Sequence, residues 1–191
     1  MKRLIIILLF VNLKSFGQDC NQINFTINSD YSYVNKSNNF SIPLNSEWNI
    51  LLENQKNVIV ILTGLQQYGL LSIIVNTNGY PIPSAHSIND QLIKELSLDI
   101  GQRIGDEFKI LTTNKSYIKN IKVNVVEFEY VVKNLDDIYP MAGIMFQIVK
   151  KQNHTYIFMF CCLRSLKSCY FPFFRNVMKQ SYFGQDWYSL N

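Results

Sequence analysis

Charge is scarce in this chain: only 17% of its 191 residues are Asp, Glu, Lys or Arg, against roughly a quarter in ordinary soluble domains. Disorder needs low hydrophobicity and a large net charge, and a chain that is 48% hydrophobic with a formal charge of +4 has neither. Histidine is nearly absent, with His86 and His154 as the 2 examples. No Cys-x-x-Cys pair accompanies them, so the spacing of a zinc or dithiol redox site is missing. Glycine is thin at 8 residues, and none falls in a loop of the kind that cradles phosphate. No nucleophile elbow surrounds Ser165 or Ser168, which removes the hydrolase reading that such serines invite. Finally, no apolar run reaches eighteen residues, so no helical membrane span is expected.

What is present begins with an address. Met1-Lys2-Arg3 is basic, Leu4 to Val11 is apolar, and Ser15-Phe16-Gly17 places small residues before Gln18. Eight residues in a helix cover about 12 Å, far short of the ~30 Å hydrocarbon core, but they suit a secretory leader cleaved near Gly17. Lys14 is unusual for a cleavage region. Cys20 raises the alternative of a lipid anchor, although Gln18-Asp19 departs from the small residues that such a site requires. The expected product is secreted or periplasmic. Cleavage removes Lys2, Arg3 and Lys14 from the 18 basic residues, leaving 15 against 14 acids, a net charge of one. Such a chain cannot hold phosphate backbones at physiological salt, so no nucleic-acid partner is expected.

Residues 18–38 are polar and Asn-rich and read as an arm ending in a short strand; residues 39–184 form a single domain and 185–191 a tail. Within the domain, Phe40 to Pro43 alternates and stops at proline, as an edge strand does. Asn45-Ser46-Glu47 turns the chain toward Trp48. Val58–Leu62 and Leu70–Val75 are β-branched runs that pair as a hairpin. Ser87-Ile88-Asn89-Asp90 has the form of a capping box, and Ile88, Leu92, Leu96, Ile100 and Ile104 then recur every four residues. That predicts an amphipathic helix closed by Gly105. A short strand follows over Phe108 to Thr112, with a turn at Asn114-Lys115-Ser116. Strands are expected over 122–133, 141–149 and 155–163. A last helix carries Phe174, Val177, Met178 and Tyr182 on one stripe. Short turns imply antiparallel pairing and each apolar helix face needs a sheet, so the class is α+β: an antiparallel sheet of about six to seven strands with helices on both faces.

Residues along this order resemble a known family. Asn39-Phe40-Ser41-Ile42-Pro43 followed by Trp48 is similar to the aromatic, isoleucine, proline and tryptophan opening of PsbP-like proteins and their DcrB-like bacterial relatives. Glu107 to Leu111, the strand over Val123 to Tyr130, the tyrosine-bearing strand over Thr155 to Phe160 and the closing Phe174-x-x-Val177-Met178-x-x-Ser181-Tyr182-Phe183 match in order, over about residues 30–184. Ser46-Glu47 stands where the family tends to place glycine before tryptophan. The resemblance implies an α/β/α sandwich and a binding or accessory role, with no common catalytic residues to carry over.

Four cysteines, Cys20, Cys161, Cys162 and Cys169, lie in the exported part, an even number in an oxidising compartment. Neighbours on a strand point to opposite faces, and the loop to Cys169 is short enough to fold back. The candidate disulfide is Cys162 to Cys169. A small secreted enzyme pairing a cysteine with a histidine is the competing function. Asp136-Asp137 lacks the regular oxygen spacing of a calcium loop. Lys115, Lys119 and Lys122 cluster near a turn and offer either a solvated loop or a patch for acidic partners. The aromatic residues Phe171, Phe173, Trp187 and Tyr188 do not fit one helix face and are the candidate partner-binding residues. The expected function is an exported, non-catalytic binding or accessory module, without cofactor or metal, that holds an unknown protein or an apolar ligand.

Overall fold

Alternation along a strand decides which side is buried, and the long strands of this protein follow that rule. In the computed structural model the described residues are 27–55, 58–64, 69–76, 108–134, 137–150 and 154–187. They form strands β1 (Asn28–Asn35), β2 (Phe40–Leu44), β3 (Asn49–Gln55), β4 (Val58–Gly64), β5 (Gly69–Asn76), β6 (Lys109–Ile118), β7 (Ile121–Asn134), β8 (Asp137–Lys150) and β9 (His154–Leu163). Helix α1 (Lys167–Gln180) and a two-residue strand β10 (Tyr182–Phe183) complete them. Seven strands make an antiparallel sheet in the order β3-β4-β5-β9-β8-β7-β6, and β1-β2-β10 make a small second sheet.

The long strands β7, β8 and β9 separate two cores. Val123 and Val125 of β7, Ile144, Phe146 and Ile148 of β8, and Phe158, Phe160 and Cys162 of β9 line the first face. The aromatic side of α1, with Tyr170, Phe171, Phe173, Phe174, Val177 and Met178, fills that core together with Phe40, Ile42 and Leu44 of β2. Alternate residues, Val126, Phe128, Tyr130, Met141, Met145, Ile157, Met159 and Cys161, line the second face and are buried there. Phe128 lies opposite Gly143 on β8, where a methyl group would strike its ring. Glycine at that pairing lets an aromatic ring cover the neighbouring strand.

Helix α1 starts earlier than the stripe predicts. A 3₁₀ turn over Arg164–Leu166 runs directly into it, and Pro172 sits in its second turn. Tyr182 falls beyond the helix and is exposed, while its neighbour Phe183 enters the core. The β period replaces the helical one there, which moves the buried aromatic by one residue. The helix is held to the sheet by charge as well as packing. Glu127 and Glu129 of β7 share the α1 face; Glu127 pairs with Arg175, and Glu129 with Arg164 at 3.3 Å and Lys167 at 3.4 Å.

Several expectations are corrected. Phe40 to Pro43 is the middle strand of the small sheet rather than an edge, and Pro43 sits beside a register shift in β1 that relieves its missing N–H. Strand β3 was not foreseen, because Leu51-Leu52 breaks its alternation at a second register shift. Asn114-Lys115-Ser116 is not a turn: β6 runs through it, paired residue by residue with β7, and the chain reverses at Lys119-Asn120 instead. The arm contributes β1 to the small sheet, and Gln185–Trp187 of the tail packs on the core, so both domain boundaries cut through folded structure. One helix, on one face, is present among the described residues. The leader, Cys20 and the helix expected over Ile88 to Ile104 lie outside them.

Candidate functional site

The aromatic end is built around Trp187. A 3₁₀ turn over Gln185–Trp187 brings its indole, 0% exposed, against Phe40, Phe158, Phe183 and Tyr156, with ring centroids 4.4 to 6.2 Å apart. Its Nε1–H donates to the Asn38 carbonyl at 2.8 Å, and Lys150 Nζ donates to the same oxygen at 3.2 Å. Lys150 also lies 5.0 Å from the Trp187 ring and 2.5 Å from Asp186 Oδ2. The Asp186 carboxyl is held below its ordinary range, first by that hydrogen bond from Lys150. Asn39 sits in the left-handed region at φ 57° and donates from Nδ2 to Asp186 at 3.0 Å. Gly184 touches it so closely that any side chain there would strike Asn39. The whole array fastens the C-terminal segment onto the β1–β2 turn.

The predicted partner-binding residues are therefore corrected. Phe171, Phe173 and Trp187 are core, at 5%, 4% and 0% exposure. Burying an aromatic ring against its own sheet recovers the apolar area that an external partner would otherwise cover. Tyr188 lies outside the described residues.

Cys161 and Cys162 are enclosed in the same way. Cys161 and Cys162 carry free thiols and are both buried, one in each core. Burial pushes the Cys161 thiol up to about 12, partly offset by a hydrogen bond with Tyr130, and pushes Cys162 higher still. A thiol held neutral is a poor nucleophile. The expected Cys162–Cys169 bridge is not made, since Cys162 Sγ is free and points into the first core from a rigid strand, whereas Cys169 rides on the first turn of α1. His86 lies outside the described residues, as does Asp136; His154 opens β9. No group of three or more His, Cys, Asp or Glu that could hold a metal occurs among the described residues.

Two features remain. Trp48 rests on Gly64, and its buried Nε1–H has no hydrogen-bond partner among the described residues. The turn before it is closed by Asn45, whose Oδ1 accepts from the Glu47 amide at 3.1 Å, which explains how the chain manages without glycine there. The lysine cluster is divided by the hairpin. Lys119, at φ 54°, reaches across to donate to the Ser181 carbonyl at 2.8 Å, at the end of α1. Lys115 lies opposite Asn124 and Tyr117 opposite Lys122, so these three long side chains share the other face, all exposed, Tyr117 by 67%. Missing from the sequence reading was the length of β6. Six successive residues, Thr112 to Tyr117, are exposed on both faces of the sheet.

No family model matches the chain, and no curated protein matches it by sequence. Solved structures do. The solution structure of cyanobacterial PsbP, CyanoP, from Synechocystis sp. PCC 6803 is similar at a TM-score of 0.60 and 10% identity, covering 81% of this chain and 92% of that one. LpqN of Mycobacterium tuberculosis, described as involved in cell envelope biogenesis, is similar at a TM-score of 0.43 and 9% identity, over 74% and 81% of the two chains. The class that the sheet and helix define is an antiparallel α+β domain with a PsbP-like fold. At that level of identity the likeness to CyanoP is one of fold, as the order of residues from Phe40 to Phe183 implied.

Proposed function

We propose that this protein is an exported, non-catalytic binding or accessory module. The observation that carries the reading is the fate of its reactive groups. Cys161 and Cys162, the candidate nucleophiles, are sealed in the two cores with thiols raised by burial. The PsbP-like fold supports it by analogy alone, since function resides in sites rather than in folds. Export follows from the leader-like start, and among the described residues no helix is long and apolar enough to cross a membrane. The same reading assigns the disulfide of an exported chain to Cys20 and Cys169, since the other two cysteines hold free thiols.

The test uses the full chain expressed with its leader. The exported product is expected to begin at Gln18, to run as a stoichiometric complex with another protein on size-exclusion chromatography, and to show no thiol reacting with a disulfide reagent at pH 7. A fast native thiol whose alkylation abolishes a turnover would establish the competing Cys/His enzyme instead.

A further inference from the structure

The edge strand β6 stands out among the described strands for its unopposed positive charge. Between Glu107 and Glu127 the chain carries Lys109, Lys115, Lys119 and Lys122 and not one acid. Lys109, Lys115 and Lys122 make no ion pair among the described residues. β6 ends the seven-stranded sheet, so its outer row of N–H and C=O groups faces no strand among the described residues. From Thr112 to Tyr117 the side chains on both faces are exposed as well.

Lysines on an edge repel a second copy of the same edge, which is how such strands avoid pairing with themselves. The same charge has the opposite effect on a strand that carries carboxylates. A strand added to β6 would run about 4.8 Å away, with alternate side chains on the face of Lys115, Tyr117 and the second-row Lys122. A carboxylate opposite Lys115 would sit within reach of both ammonium groups, and the residue two further along would lie on the Tyr117 ring. We infer that β6 is a docking edge for an extended acidic segment of a partner protein, which adds as an eighth strand with its carboxylates against Lys115 and Lys122. This inference rests on the binding-module reading and gives it a surface. Backbone pairing supplies affinity in such additions, and side chains at alternate positions supply selection.

The probe is a capped nine-residue peptide, Glu-Val-Thr-Val-Glu-Val-Thr-Val-Glu, titrated into the full exported protein and followed by amide NMR, with a second peptide carrying Lys at each Glu. The acidic peptide is expected to shift the Thr112 to Tyr117 amides and to slow their hydrogen exchange at least tenfold. Binding should weaken about threefold or more when salt is raised from 50 to 300 mM, since exposed charges are screened over that range. The double variant Lys115→Glu/Lys122→Glu should lose the acidic peptide and gain the basic one, with unchanged thermal unfolding. Equal response to both peptides, shifts centred away from β6, or unaltered binding by the double variant would each overturn the inference. So would capture on vesicles containing phosphatidylglycerol that the acidic peptide fails to displace. If the peptide fails while wild-type protein and the double variant both keep the same stoichiometric complex, the edge is wrong and the module reading stands.

Discussion

The C-terminal end and the β6–β7 tip give opposite answers to the same question. Phe171, Phe173 and Trp187 form the richest aromatic stretch of the chain, the composition expected of a partner surface, and all three are buried. Near that tip β6 holds Thr112, Thr113, Asn114, Lys115 and Ser116, a composition that reads as a turn, and they form a doubly exposed strand. The difference lies in what each segment gains by folding inward. Apolar area removed from water is worth roughly 25 cal/mol per Å², so a segment dense in rings closes the nearest core before any partner arrives. A polar strand gains little from burial; pairing with β7 on one side is enough to hold it, and its other side stays available.

The largest expected effect would break this comparison outright. Trp187→Ala removes a fully buried indole and leaves the Asn38 carbonyl short of a donor. It should cost about 3–5 kcal/mol of unfolding free energy, measured by urea titration, and partner recovery should fall only in step with the unfolded fraction. A stable Trp187→Ala protein that had lost its partner would return the aromatic end to the surface. Next in size is an alkaline transition. The Cys161 thiol is raised in the fold from its ordinary 9.0 to about 12, chiefly by burial. The neutral form therefore favours the fold: its contribution is complete below about pH 9 and is lost as pH rises toward the folded value. Unfolding by urea should become easier between pH 9 and 12, and Cys161→Ala should flatten that slope, leaving the part due to Cys162 and Tyr130, both also raised by burial.

How much of this could be read from sequence depended on whether a segment's fate was decided locally. The long strands announced themselves: Val123, Val125, Phe128 and Tyr130 fall within β7, and Met141 to Val149 and Thr155 to Leu163 lie inside β8 and β9. The motif from Phe40 to Trp48 led to the right fold. Where pairing decided, local signals misled. Asn114-Lys115-Ser116 has turn chemistry, but continuous pairing with β7, bonded at alternate residues, overrode it. β3 was missed because a register shift hides its alternation. The lysine triplet was visible, yet only the hairpin register separates Lys119, which serves the end of α1, from Lys115 and Lys122 on the opposite face. The free state of Cys162 was equally beyond spacing, since a short loop permits a bridge without requiring one.

Smaller effects sharpen the contrast. Asp186 is half-exposed, and its carboxyl is lowered first by Lys150. A lowered carboxyl contributes stability above its unfolded value, near 3.8, and loses that contribution as pH falls through the folded value. Solvent screening keeps the effect small, so Asp186→Asn should cost less than about 1 kcal/mol at pH 7. The cost should shrink as pH falls below the ordinary 3.8 and in high salt, while the Lys150 contact with the Trp187 ring persists.

The smallest expected change is the most discriminating for the tip. Lys115→Ala and Lys122→Ala remove side chains that are exposed and carry no ion pair among the described residues. If the hairpin is held by its ladder to β7 and by Ile118 and Ile121, both buried at its closed end, neither lysine has anything to stabilise. Each substitution should leave the urea midpoint within about 0.5 kcal/mol of wild type, and removing a repulsion between neighbouring cations makes a slight gain the expected sign. A loss above 1 kcal/mol for either would mean that the lysines brace the strand rather than dress an open edge, and the two ends of the molecule would then differ in composition alone.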